Sequence, residues 1–315
     1  NLKEIFKMSQ NKYELSLVGK VAALCARLFD VIQYSLPPGP AFIKLNWIVN
    51  TQKFGCWIFV LSLMAYYDNW SRGAWVYLLL HGSYGITWII KDLVFPDASF
   101  QKKVTLSSAI FCSGLLALYL LPGYQMISRI ANNEPSLDRI MVSIMIYFVG
   151  QFLMTGSDCQ KYYTLKEKKG LISTGFFKLT RNPNYLGEVF IYSSFAIIVG
   201  RWEFWYVLAF VWAALFMPRM LVKDFSLSKK EGWEEYDSYM LFPKFSSDLF
   251  DNLVIYSIII ALGLAMYASG GFIYFYIECD YISKTLDFNR MLTLITQIEL
   301  FQIKDCIVPL ISSYL

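Results

Sequence analysis

Apolar residues fall into long, weakly charged blocks, at about 54–67, 74–95, 104–122, 138–159, 185–200, 202–221 and 250–277. A membrane-crossing helix needs about 20 mainly apolar residues, so each block predicts a transmembrane helix. The first is short and is expected to begin upstream, near Leu45. Gly, Pro and Ser interrupt several blocks, which membrane helices tolerate better than soluble ones. Leu17 to Tyr34 differs: its apolar residues recur at helical spacing, but Lys20, Arg27 and Asp30 interrupt them. That pattern predicts a helix lying on the membrane. Pro37-Pro38-Gly39-Pro40 then forms a stiff break, and from Leu286 a second amphipathic stretch begins. The pattern predicts an all-α, polytopic membrane helical bundle with about seven transmembrane helices and amphipathic ends. It divides into an interfacial segment at 1–40, a membrane domain at 41–245, and an additional helix with a tail at 246–315.

Composition agrees, with 56% hydrophobic, 18% aromatic and only 17% charged residues. A soluble domain carries about 25% charge. With seven crossings, Lys and Arg concentrate on the face holding the N-terminal segment and the loops near 91–103, 160–184 and 219–249. Lys53 and Lys91 are counted on that face too. By the positive-inside rule it faces the cytosol, or the matrix in a mitochondrial membrane. The localisation expected is therefore the endoplasmic reticulum or the mitochondrial inner membrane. The +4 net charge suits anionic lipid headgroups or a phosphorylated cofactor. Bound phospholipid is expected, and nucleic acid is not, because no soluble basic domain exists to hold it.

Six scattered cysteines form no Cys-x-x-Cys pair, and His81 is the single histidine. Those counts argue against bis-histidine haem, histidine-rich di-iron sites and a conventional zinc hydrolase, so no metal site is expected. No Gly-x-Gly-x-x-Gly or Walker loop is present, so any cofactor must be held by helix ends and loops. The richest stretch runs from Gly175 to Glu188. Asn182 suits a helix cap and Pro183 the first helical position, which places free amides beside Arg181. A helix N-terminus next to a guanidinium suits an anion, while a capped helix with an interfacial arginine is the plainer reading. Asp158 and Glu188 are carboxylates at membrane helix ends, costly unless paired or ligand-bound. A structural ion pair with Arg181 or Lys223 is the alternative to a ligand role. The aromatic group Trp233, Tyr236, Tyr239 and Phe242 suits either a stacked nucleobase or an interfacial belt.

These residues carry a family resemblance. Gly175-x-Phe177, Arg181-Asn182-Pro183-Asn184-Tyr185-x-Gly187-Glu188, Lys223-Asp224, Trp233-x-Glu235-Tyr236 and Pro243-x-Phe245 resemble the C-terminal domain of the steroid 5-alpha-reductase superfamily, nearest to its DUF1295 group. His81-Gly82-x-Tyr84-Gly85-x-x-Trp88, Lys91-Asp92, Phe95-Pro96-Asp97 and Asp158-Cys159-Gln160-Lys161-Tyr162 extend the likeness over about 75–245. The Arg-x-Pro-x-Tyr-x-Gly core is similar to that of isoprenylcysteine carboxyl methyltransferases and phospholipid methyltransferases as well. The resemblance makes 41–245 a steroid-reductase-like membrane domain that cups a cofactor from the basic side. That cofactor is NADPH in the reductases and S-adenosylmethionine in the methyltransferases. By the same resemblance, the cofactor-binding positions are Asp158, Arg181, Asn184, Tyr185, Glu188, Glu235 and Tyr236. Asn182 stands where many relatives carry His, and Met154 where steroid reductases tend to carry Asn. Their substrate-side Glu and Tyr pair has no counterpart in residues 41–95. Tyr84 is a candidate proton donor to a carbanion after hydride transfer, with His81 nearly one helical turn away. A packing role between close helices is the alternative for Tyr84.

Three functions follow from this reading. One is an NADPH-dependent reductase of a lipid-soluble enone such as a sterol, polyprenyl or fatty enoyl derivative. Another is a non-catalytic accessory subunit of a large membrane complex such as a respiratory complex, contacting other subunits through 246–315 and the N-terminal segment. The last is an S-adenosylmethionine-dependent lipid or isoprenylcysteine methyltransferase. Asn184 and Glu188 complete the reductase-type motif and place the first ahead of the last.

Overall fold

The computed structural model describes residues 17–131 and 134–268, with side chains through 263. Those residues are almost wholly helical. They run α1 (Leu17–Ser35), β1 (Ile43–Lys44), α2 (Leu45–Tyr66), α3 (Arg72–Val94), β2 (Lys103–Val104), α4 (Leu106–Ala117) and α5 (Leu121–Ile127). They continue with α6 (Leu137–Glu167), α7 (Phe176–Leu179), α8 (Pro183–Val199), α9 (Trp202–Val211), α10 (Met217–Leu227) and α11 (Leu249–Ala268). The β1–β2 pair is a two-residue antiparallel clip, Ile43 facing Val104 and Lys44 facing Lys103. Ser71, Thr105 and Ser136 cap α3, α4 and α6, each accepting the backbone N–H three residues on. A π-type turn at Trp212–Phe216 joins α9 to α10 just before Pro218, which has no N–H to give the preceding turn.

Each of the seven apolar blocks lies on helix. The last block extends beyond the described residues, as does the amphipathic tail from Leu286. Four helical stretches are long and apolar enough to cross a membrane: Leu45–Tyr66, Leu106–Ile127, Leu137–Glu167 and Trp202–Leu227. Helix α3 has the length but carries Arg72, Lys91 and Asp92 at its ends. Helix α8 has only 17 residues, about 26 Å of rise against a hydrocarbon core of about 30 Å. Large apolar side chains stay exposed on most of these helices, including Trp57, Leu79, Phe148, Phe152 and Tyr206. This is the outer surface of an integral membrane protein, where lipid replaces water. Helix α1 keeps Leu17, Val21 and Leu28 exposed while Gln33 accepts a 2.5 Å hydrogen bond from Arg219 of α10.

The chain divides into two compact units, residues 1–249 and 250–315. The core of the first is unusually aromatic, with Tyr77, Tyr84, Tyr192, Phe195 and Phe204 among its fully buried side chains. Two close backbone approaches set its geometry. A Cβ on Gly187 of α8 would lie 2.6 Å from the Gly150 carbonyl oxygen of α6, and one on Gly150 would lie 2.7 Å from the Gly187 carbonyl. Glycine on both sides therefore brings these helices into direct backbone contact. Gly85 of α3 likewise packs on the backbone of Lys53 in α2. In the second unit, α11 is apolar through Gly263 apart from Asp251, Asn252 and Ser257.

Candidate functional site

Because Gly85 admits the α2 backbone, Lys53 is brought against the preceding residue of α3, Tyr84. Its Nζ donates to the Tyr84 hydroxyl at 3.3 Å and also to the hydroxyl of Tyr192 on α8. The Tyr192 hydroxyl in turn donates to Tyr84 at 3.5 Å. Four rings surround the ammonium, with centroids at 4.4 Å (Tyr84), 5.0 Å (Tyr192), 5.1 Å (Trp88) and 5.5 Å (Tyr119). Lys53 is only 4% exposed. Burying an ammonium costs several kcal/mol, and the ring faces together with two charge-assisted hydrogen bonds offset that cost. The same cluster places the other candidate, His81, apart: its Nδ1 bonds the Tyr77 hydroxyl at 2.8 Å and its ring stacks on Phe195 at 4.5 Å.

Nearer the loops, Lys91 of α3 and Asp158 of α6 form a buried ion pair at 2.5 Å. Asp158 is thus paired, though with neither Arg181 nor Lys223. Its second oxygen has no partner. Both residues line a cavity of about 380 Å³ together with Asp97, Lys161, Tyr162 and Lys166. Lys161 and Asp97 pair across it at 3.1 Å. Burial disfavours charge on Asp97, but Lys161 and the Ser99 backbone N–H and hydroxyl outweigh it, holding the carboxyl at about 2. Glu188 of α8 is half-buried. Among the described residues it forms no hydrogen bond or ion pair. Lys53 and Lys91, counted on the basic surface from sequence, are instead interior residues.

A second assembly surrounds the start of α8. Pro183 holds the first helical position as expected, and Asn182 the cap, but the Asn182 side chain does not cap. Its Nδ2 donates to the Met240 carbonyl and its Oδ1 accepts from Lys223 at 2.9 Å. Arg181 donates from Nε and Nη2 to one oxygen of Asp224, at 2.9 and 2.6 Å, and from Nη1 to the Ser238 carbonyl. Its guanidinium also covers the Trp233 ring at 5.3 Å. Arg181 is therefore engaged by protein groups, clamping the 233–240 loop to the mouth of α8. Tyr236 donates its hydroxyl to the Phe177 carbonyl at 2.6 Å, and burial pushes its phenol up to about 12. Tyr236 and the exposed Glu235 line a separate cavity of about 660 Å³ with Lys178, Asp237 and Lys244. Tyr185 packs edge-on against Phe216, and the buried Asn184 Oδ1 has no partner.

The family model described as a protein of unknown function, DUF1295, matches residues 97–245. This region is similar to that family. No curated protein matches the chain closely enough to count as a relative. The DUF1295 region contains every proposed cofactor-binding position, and the match agrees with the resemblance read from the Arg181–Glu188 motif. Tyr84, His81 and Lys53 lie upstream of it. Sequence reasoning counted Lys53 with the basic face, although a first crossing beginning near Leu45 already placed it within an apolar helix. A lysine inside an apolar helix is the signal that would have found it.

Three buried oxygens without partners, Asp158 Oδ1, Asn184 Oδ1 and Asp224 Oδ1, are all hydrogen-bond acceptors. Of the three residues, Asp158 lines the cavity of about 380 Å³. Lys161 and Lys166 line the same cavity, Lys161 in its pair with Asp97.

Proposed function

We propose that this membrane protein is an NADPH-dependent reductase of a lipid-soluble enone. The observation that carries the reading is the Lys53–Tyr84–Tyr192 cluster. The Tyr84 oxygen accepts hydrogen bonds from Lys53 and from Tyr192, so its own O–H is left to donate. A phenol receiving two donors, one of them cationic, is arranged to release its proton and to stabilise the phenolate left behind. Bound NADPH would supply a hydride to the β-carbon of an enone, leaving carbanion character at the α-carbon. Tyr84 then protonates that carbon, giving the saturated ketone. Asp158 and Asn184 would hold the nucleotide's donors, and Lys161 and Lys166 its phosphates. Tyr84 has no exposed surface in this arrangement, so substrate contact requires the cluster to open.

The test is enone-dependent NADPH oxidation by the full chain in lipid nanodiscs, with a 3-keto-4-ene sterol and a polyprenal as probes. Tyr84→Phe should lower the rate at least a hundredfold while NADPH binding persists. Absence of both binding and oxidation in the wild-type protein would sink the reading. The engagement of Arg181 by Asp224 and Ser238 favours a second one, in which the clamp is structural and the fold serves as an accessory subunit. That reading expects the protein to extract within a larger complex and to bind no nucleotide.

A further inference from the structure

We infer that the cavity between α2 and α4 binds a neutral lipid headed by a single hydroxyl, of the sterol or diacylglycerol kind. It holds about 370 Å³ and is lined by Trp47, Ile48, Thr51, Gln52 and Ser113. These residues belong neither to the Lys53 cluster nor to the proposed cofactor-binding positions, so the site is independent of the reductase reading. Its place in the fold follows from the β1–β2 clip. Lys44 faces Lys103 there, and the Leu45 N–H donates to the Lys102 carbonyl at 3.0 Å, so α2 and α4 start side by side. At about 1.5 Å of rise per residue, Thr51 lies about 9 Å along α2 and Ser113 about 10 Å along α4. With the clip at the basic face of the membrane, both sit close to the boundary between headgroups and hydrocarbon. Asn50 and Lys53 turn one face of α2 toward Asp92 and Tyr84 of α3. Trp47, Ile48, Thr51 and Gln52 share the opposite face.

The polar groups of the cavity set its chemistry. Ser113 donates its hydroxyl to the Ala109 carbonyl at 2.8 Å, which leaves its oxygen to accept. Gln52 donates from Nε2 to Cys56 Sγ at 3.2 Å, and its Oε1 is buried without a partner. Thr51 is exposed, and its hydroxyl, able to donate and accept, has no partner among the described residues. Polar groups left open on membrane-crossing helices are costly, and a ligand that pairs them removes the cost. A lipid hydroxyl does so in both directions, accepting from Thr51 and donating to Gln52 or Ser113. A ketone only accepts, so it leaves Gln52 Oε1 unpaired. A phosphate finds no cation, since none of the lining side chains is charged. The apolar body of the lipid has room as well. Gly55 lies one turn beyond Thr51 on the same face, and no atom outside its own stretch of helix comes within 4 Å of where a Cβ would stand. No packing contact therefore demands a glycine there. Trp47, 58% exposed, offers a flat ring one turn nearer the clip.

The experiment uses photoreactive analogues of cholesterol and of dioleoylglycerol with the full chain in phosphatidylcholine nanodiscs, and maps the labelled peptides by mass spectrometry. Saturable labelling of 47–57 and 106–118 by either probe is expected, and the probe that labels names the source of the hydroxyl. The matching unlabelled lipid should compete. Lipids without the hydroxyl, cholest-4-en-3-one and trioleoylglycerol, should need at least a tenfold higher mole fraction to do so. Thr51→Val combined with Gln52→Leu should cut labelling at least tenfold and erase that preference. Gly55→Leu should fill the groove and abolish labelling, with a melting temperature at or above that of wild type, which separates blocked space from misfolding. Labelling spread evenly over the lipid-facing helices, equal competition by the lipids without a hydroxyl, or labelling unchanged in these variants would overturn the inference.

Discussion

Arg181 places two of its nitrogens on a single oxygen of Asp224, at 2.9 and 2.6 Å, and leaves the other Asp224 oxygen without a partner. The guanidinium thus joins the start of α8 to α10, and through the Ser238 carbonyl to the loop that follows. Lysine carries one nitrogen where this clamp uses three. Arg181→Lys should therefore release the loop and cost on the order of 2–4 kcal/mol, read as a lower melting temperature in detergent. Faster proteolysis between residues 228 and 248 should accompany it. An unchanged melting temperature would mean that the clamp is dispensable.

Gly187→Ala should destabilise by on the order of 1–3 kcal/mol, because its Cβ would lie 2.6 Å from the Gly150 carbonyl. The contact is with backbone, which cannot rotate away. Thermal unfolding of the variant measures this, and a tolerated alanine would show that α6 and α8 pack less tightly.

Lys53→Met should separate stability from activity. Replacing a buried cation by an apolar side chain of similar length is often neutral or stabilising, since the desolvation cost disappears. Tyr192 still donates to Tyr84 in its absence. The expected result is a melting temperature equal to or above wild type, with enone reduction down at least a hundredfold. A matching loss of both would make Lys53 a structural residue only.

The Asp97–Lys161 pair carries a pH signature. The Asp97 carboxyl titrates at about 2 when folded against an ordinary 3.8, so its contribution to stability is complete above about pH 4 and lost as pH falls through about 2. Asp97→Asn should accordingly melt below wild type at neutral pH, with the gap closing across that acidic window. A pH-independent gap would mean that the charge on Asp97 is not what stabilises the fold.

Sidedness is testable with single cysteines at Lys168 and Lys230. Lys230 donates to the Gly170 carbonyl at 2.9 Å, which places the loops around both labelled positions together. Both should label from the same membrane side, as the lysine and arginine partition predicts. Labelling from opposite sides would break the assignment of crossings.

Periodicity and apolar length in the sequence determined the helices, because a chain in lipid must satisfy its backbone within each segment. The Arg181–Glu188 motif likewise marked the start of α8 and the family, since Pro183 and its neighbours act through local chain geometry. Partnership was decided only by tertiary structure. Arg181 looked free for an anion until α10 brought Asp224 to it. Asp158 pairs with Lys91, 67 residues away in the chain, rather than with the cations nearer in sequence. Lys53 looked like a loop charge until Gly85, Tyr192 and Tyr119 converged from three other helical segments to enclose it. Helix propensity is written in neighbouring residues. The burial of a charge depends on side chains that only packing brings within reach.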